Sequence, residues 1–409
     1  MKRPEILSPA GNFEKMRAAI LYGADAVYLS GQLFGMRAAA DNFSLEELKE
    51  AVEYAHERGV KVYLTVNTMP RENEYQELRS YFLSIKDFGI DALIIADIGV
   101  LMLAREILPE IDIHISTQAN SVSAADCRAW HKLGAKRVVL ARELTLREIK
   151  AIKANIPEDL EIECFIHGSM CISYSGRCLL SGNIVGRDAN RGMCAQPCRW
   201  NYTVRGYEIS EEKRQNDAMP IEEINGETFI MASRDTCMIE HIPELIEAGI
   251  DSFKIEGRMK SAYYTAVVTN TYKMALDSYF SENYEYNPLW YKELESVSHR
   301  DYATGYYFDD SHIDANLSKT TGYIKDKAYL GTVLSYDADR GEALCTQRNK
   351  MCLGDEIELL TPGKVGVPLV AEGLRNEAGE SIDSTCHPYM NFYMKVPFAV
   401  KAGDIIRLR

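Results

Sequence analysis

Cysteine is the residue whose spacing carries most chemistry in this chain of 409 residues. Four thiols read Cys171-x6-Cys178-x15-Cys194-x3-Cys198, and Cys237 follows in the segment ASRDTCMIEHIPEL. Thiolates are soft ligands that hold zinc or iron–sulfur clusters. Structural zinc usually takes paired C-x2–4-C ligands, and only Cys194 and Cys198 resemble such a pair. The wider intervals suit a 4Fe–4S cluster held from separate segments. The C-x3-C-x2-C pattern of radical S-adenosylmethionine chemistry is absent. Gly168, Gly176, Gly182, Gly186 and Gly192 stand among the thiols, where glycine lets a loop fold closely around a compact group. Cys127, Cys164, Cys345, Cys352 and Cys386 lie outside this pattern and read as buried free thiols.

Basic residues crowd the same region: Arg177, Arg187, Arg191, Arg199, Arg234, Lys254, Arg258 and Lys260. Either they form a solvated, ion-paired rim, or they bind an anion. The Arg fork suits a carboxylate or a phosphate equally well. Tyr174, Trp200 and Tyr202 lie close in sequence to the cysteines and could pack or stack on a base.

The elements that must position these groups show in a repeat. YGADAVYLS (22–30), FGIDALIIAD (88–97), LGAKRVVLAR (133–142) and AGIDSFKIEG (248–257) each place a Gly, a short link and an apolar run; RGVKVYLTVN (58–67) is a variant. Gly suits the position after a helix, and a nearly continuous apolar run suits a parallel strand covered on both faces. Helical stretches precede the glycines, with Asn12 as a cap and capping boxes at Ser44/Glu47 and Thr145/Glu148. Eight strands are predicted, near Glu5–Ser8, Ala26–Ser30, Lys61–Asn67, Ala92–Asp97, Asp112–Thr117, Arg137–Arg142, Glu161–Ile166 and Ser252–Glu256. Eight even units favour a TIM-type (β/α)8 barrel over a doubly wound sheet. Short strands with Gly, Asp and Asn turns follow from about 326, a small all-β barrel. The expected division is a barrel over 1–280, a linking segment over 281–325 and a C-terminal β domain over 326–409.

Barrel enzymes work at the C-terminal ends of their strands. Those ends hold Asn67, Asp97, Thr117, Gln118, Asn120, Arg142, Glu143, His167 to Ser169 and Glu256 to Arg258. Arg142, Glu143, His167, Glu256 and Arg258 make poor helix caps and are the better site candidates. The net charge of −14 is unlike a nucleic-acid binder, which places cations on phosphates; an RNA role would need the basic cluster to act locally. No run reaches the length of a membrane span and no signal peptide is read, so a cytoplasmic protein is expected.

The residues Glu163-x-Phe165-x-x-Gly168-Ser169-Met170-Cys171-x4-Gly176-x-Cys178-x-Leu180-Ser181 resemble the signature of the collagenase-like peptidase family of unassigned catalytic type. SPAGNFEKMRAAILYGADAVY, FGMRAAADNFS and KIEGRMKSAYYTA resemble it too, and the likeness spans nearly the whole chain. It implies an oxygen-independent hydroxylase with a 4Fe–4S cluster. A barrel followed by a β domain resembles the tRNA-modifying branch, which implies 5-hydroxyuridine at the wobble position of a tRNA anticodon loop, with prephenate, a dicarboxylate, as hydroxyl donor. Ribosomal RNA hydroxylation and proteolysis are the alternatives; no H-E-x-x-H or G-x-S-x-G is present. The resemblance carries the cluster ligands onto Cys171, Cys178 and Cys194, with Cys237 favoured as the fourth and Cys198 the alternative. On this reading His167, Glu256 and Arg258 are the catalytic candidates. Arg142, Arg177, Arg199 and Lys254 would bind the co-substrate.

Overall fold

The structure is a computed structural model that describes residues 2–36, 41–199, 223–224, 227–228, 233–281, 284–308, 324 and 327–409. Eight strands form the centre: β1 (Glu5–Pro9), β2 (Ala26–Leu29), β3 (Lys61–Val66), β4 (Ala92–Ile95), β5 (Asp112–Ile115), β6 (Arg137–Val139), β7 (Glu161–Ser169) and β8 (Ser252–Ile255). Each pairs in parallel with its neighbour, and β8 pairs with both β7 and β1. The sheet is therefore closed, a TIM-type (β/α)8 barrel.

Helices α1 (Phe13–Leu21), α2 (Leu45–His56), α3 (Tyr75–Ile85), α4 (Ile98–Ile107), α5 (Ala124–Lys132) and α6 (Leu146–Lys153) follow the first six strands. Asn12 caps α1, and full capping boxes open α2 at Ser44 and α6 at Thr145; each side-chain cap satisfies an N–H that the first helical turn leaves free. Strand residues such as Val62, Leu64, Leu93, Ile113 and Phe253 face the helices in the main core. Their alternates Leu7, Tyr28, Tyr63, Ala92 and Ile94 fill the inside of the barrel, following the two-residue period of a strand.

Strand β7 runs three residues beyond the expected Ile166. The extension His167–Ser169 pairs antiparallel with a short strand, Asp235–Cys237, which itself pairs with Tyr302–Ala303. This ribbon continues the sheet past the C-terminal end of β7. Helix α7 (Leu180–Val185) lies in the cysteine loop, and α8 (Ile242–Glu247) and α9 (Ala262–Tyr279) flank β8. The stretch read as a linking segment does more than connect. Helix α10 (Pro288–Glu295) and residues Trp290, Leu294, Val297 and Tyr307 belong to the main core, while 309–323 lie outside the described residues.

The C-terminal domain is a curled antiparallel sheet of seven strands, β9 (Tyr329–Asp337), β10 (Glu342–Gln347), β11 (Glu356–Leu360), β12 (Val367–Val370), β13 (Arg375–Asn376), β14 (Asn391–Lys395) and β15 (Ile405–Leu408), in the order β12-β11-β15-β9-β10-β14-β13. It has its own core around Val333, Ile357, Phe392 and Ile406. It is also fused to the barrel. Leu360 and Ile405 join the main core, Tyr22 Oη donates to Leu360 O (2.9 Å), and Asn270 bonds Lys364 O (2.8 Å) and Gly363 N (2.7 Å). Among the described residues no helix is long and apolar enough to cross a membrane.

Candidate active site at the barrel mouth

A cavity of about 380 Å³ opens at the C-terminal ends of the barrel strands. Strand residues make its floor: Tyr28, Thr65, Ile94, Phe165 and Lys254, with Gln118 just beyond β5. The loop after β7 makes its other side, and Cys171, Cys178, Cys194 and Cys198 all line it. Gly168, Gly176, Gly186 and Gly192 in and beside that loop have positive φ, a conformation that glycine adopts without steric cost. At Gly176 (φ +74) a Cβ would also meet Gln118 O at 2.9 Å, so the loop's approach to the barrel rim depends on glycine there. Arg191 ties the loop's far end to Glu74 through two bonds (2.5 and 2.8 Å) and to Met69 O; the Arg191 guanidinium holds the Glu74 carboxyl at about 2.

Four thiols around one cavity are the donor chemistry that iron–sulfur clusters use. Gln196 N–H points at Cys194 Sγ (3.4 Å), the kind of bond that tunes a cluster sulfur. Among the described residues, no three or more His, Cys, Asp or Glu side chains converge on one point as a single ion requires. A cluster spreads its thiolates over four irons and needs no such point, so four cysteines lining one cavity fit it in kind.

Cys237, favoured as fourth ligand, sits elsewhere. It lies on the short strand opposite His167, is buried, and approaches Tyr272 Oη at 4.0 Å. Burial pushes its thiol up to about 12. Cys198 is the fourth cysteine that shares the cavity. The remaining thiols divide as well. Cys127, Cys164 and Cys345 are buried as expected, but Cys352 is half-exposed and Cys386 exposed, because both occupy surface loops of the C-terminal domain.

The catalytic candidates separate in the same way. Glu256 and Arg258 line the cavity, and Arg258 Nη2 donates to Met36 O. His167 does not line it. Its ring lies among Tyr264, Tyr272 and Tyr302, with centroids 5.3 to 6.0 Å away. Burial, aided by His299 and Lys260, pulls it down to about 3, so it is neutral. Its backbone still matters: His167 O accepts Glu256 N (2.9 Å), which places Glu256.

Of the proposed anion-binding residues, Arg142 lines the cavity but spends its guanidinium on Ser169 O (2.9 Å) and Ser175 Oγ (3.1 Å), stacked on Phe165. Arg177 is turned to Asn120 Oδ1 (2.7 Å). Lys254 stands on the floor. The side chain of Arg199, together with Trp200 and Tyr202, lies outside the described residues.

Sequence reasoning did not single out Tyr28 or Thr65, and it named Glu163 only as the first position of the signature, with no role. The signal was present as polar residues inside apolar strand runs, such as Thr65 in KVYLTV. His114 is another such residue, buried edge-on to Tyr63 (4.7 Å). Burial, with Arg137, Lys254 and Lys61 nearby, lowers its pKa well below the usual value, so the folded protein keeps it neutral. The unfolded chain takes up that proton below about 6.5, so stability is lost as pH falls through that value, by about 1.4 kcal/mol per pH unit for this group. His114→Phe should therefore lose less of its urea midpoint between pH 7 and pH 5 than the parent loses.

A closed barrel whose mouth carries a cysteine-lined cavity is the class of protein this fold and site define. The chain belongs to peptidase family U32: it matches that family over residues 11–316 and the family's C-terminal domain over 325–407. The tRNA hydroxylation protein P1 of Bacillus subtilis (strain 168) is 37% identical over 416 residues, covering 99% of this chain and 95% of the relative. The tRNA hydroxylation protein P of Escherichia coli (strain K12) is 35% identical over 444 residues, covering 100% and 97%. A 23S rRNA 5-hydroxycytidine synthase of the same organism is 38% identical over 283 residues, covering 68% of this chain and 40% of that one.

Proposed function

We propose that this chain is an iron–sulfur-dependent RNA hydroxylase that forms 5-hydroxyuridine at the wobble position of tRNA, with prephenate as hydroxyl donor. The observation that carries the reading is one cavity in which four cysteines stand across from a floor that holds Lys254 and Thr65. The full-length likeness to two proteins named for tRNA hydroxylation supports tRNA over ribosomal RNA, since the rRNA enzyme shares only 40% of its own length.

On this reading Cys171, Cys178, Cys194 and Cys198 hold the cluster, which supplies one-electron chemistry at the mouth. Lys254 on the floor takes an anionic group of the co-substrate. Glu256, fixed through its backbone to β7, stands at the wall as the group able to accept a proton from the reacting carbon. Arg258 orients the wall through Met36. An unpaired anticodon base would enter from the open side, where Tyr174 is exposed and can stack.

Proteolysis through Ser169 would need His167 as a base beside it. That ring is enclosed by tyrosines instead. The function is tested by mass spectrometry of tRNA nucleosides from cells with and without the gene. Loss of 5-hydroxyuridine, restored by the intact gene, is expected; an unchanged level in cells with no parallel route would refute the reading.

A further inference from the structure

Four ionisable side chains form one chain of contacts through the middle of the barrel. At the N-terminal end, Glu5 accepts Arg137 Nη1 (2.7 Å), Ser252 Oγ (3.0 Å) and Tyr63 Oη (2.6 Å). Arg137 Nη1 also donates to Glu163 Oε2 (3.1 Å), and Glu163 Oε1 accepts Lys254 Nζ (2.7 Å). Glu163 is 0% exposed, Arg137 and Lys254 4%. Arg137 also donates to Glu161 Oε2 through Nε (2.9 Å) and Nη2 (2.7 Å), and Glu161 Oε1 accepts Lys2 Nζ (2.9 Å), so three carboxylates face three cations. Barrel interiors are usually filled with branched apolar side chains, and a buried ion chain is seldom more stable than such a filling. The chain of charges has another effect: it fixes an ammonium on the cavity floor, between the rings of Tyr28 (4.6 Å) and Phe165 (5.3 Å).

Two further floor atoms are buried without a hydrogen-bond partner, Thr65 Oγ1 and Gln118 Oε1. Thr65 is 3% and Gln118 9% exposed. A buried polar atom left unbonded has lost its water without a replacement partner, so both are poised for a ligand in the cavity that they line.

We propose that the cavity floor is a subsite for a small aromatic-sized hydroxy acid. Lys254 takes the carboxylate, Thr65 and Gln118 take the hydroxyl end, and Glu163 and Arg137 are positioning residues that act through Lys254. This deepens the proposed function by naming the residues that receive its organic-acid co-substrate, and it rests on that reading for the ligand's part in the reaction.

The test is calorimetric titration of the full-length protein with 4-hydroxyphenylacetate and with its neutral analogue 4-hydroxyphenethyl alcohol. The acid should bind at least tenfold more tightly than the alcohol. Lys254→Met should abolish that preference and Lys254→Arg restore most of it. Glu163→Gln should weaken the acid alone, whereas Thr65→Val and Gln118→Leu should weaken both ligands equally. Should Glu163→Gln fail to fold, the Met and Arg variants of Lys254 decide. Absence of any preference in the parent protein, or its persistence in Lys254→Met, overturns the subsite. No RNA enters this measurement. An unchanged tRNA nucleoside profile beside an intact acid preference would sink the RNA reading and leave the subsite standing, and the reverse pair of results would do the opposite.

Discussion

Cys178→Ala protein is expected to lose RNA hydroxylation by on the order of 100-fold or more, since even outer-shell changes at metal sites cost 10- to 100-fold. Cys178 is chosen because it lines the cavity and its segment is built in: Asn190 Nδ2 bonds its carbonyl at 3.1 Å. On the proposed function, removing the sulfur deletes a ligand while the loop's other ties, such as Ala195 N to Ser181 Oγ (3.0 Å), remain. The variant should keep the thermal midpoint of the metal-free parent and should fail to restore the missing nucleoside in cells. Cys345→Ala is the matched control. That thiol is buried in the C-terminal core and raised by burial, so its loss should change stability and leave the modification in place. Equal activity in Cys178→Ala and the parent would contradict the assignment of this loop.

The second large effect concerns the junction of the two domains. Arg407 is 1% exposed and binds Glu293 through both terminal nitrogens (2.7 and 2.8 Å) and Glu358 through Nε (2.8 Å). Glu293 belongs to α10 on the barrel side, Glu358 to β11 and Arg407 to β15 of the C-terminal domain. Arg407→Met would take both guanidinium bonds from Glu293, which keeps the Gly366 N–H (3.0 Å), whereas Glu358 keeps Lys327 (2.6 Å). Breaking a buried pair from one side costs about 3–5 kcal/mol, and urea unfolding should show a loss of that size. Arg348→Met, which removes a more exposed pair with Glu14, should cost under about 1 kcal/mol. Similar losses for the two variants would mean that the junction is not built on Arg407.

Much of the barrel was legible because its signals are local. The Gly-link-apolar repeat marks each helix-to-strand turn, and caps at Asn12, Ser44 and Thr145 depend on residues three positions apart. The cysteine loop was legible by composition. What escaped reading depends on partners far away in the chain. The extension of β7 to Ser169 exists because Asp235–Cys237 pairs with it, and the same pairing carries Cys237 away from the cavity that Cys198 reaches. His167 looked like a site residue at a strand end, but three tyrosines from beyond residue 260 enclose it. Glu163 and Lys254 each interrupt an apolar run visibly, yet their contact spans 91 positions and follows only from closing the barrel between β7 and β8.

The central claim is that the thiols at the barrel mouth hold iron. Its most direct test is iron and acid-labile sulfide analysis of protein isolated without oxygen. The account predicts a brown protein with about four of each per chain, falling sharply in Cys178→Ala. Colourless protein free of iron, or full iron content in that variant, would contradict it.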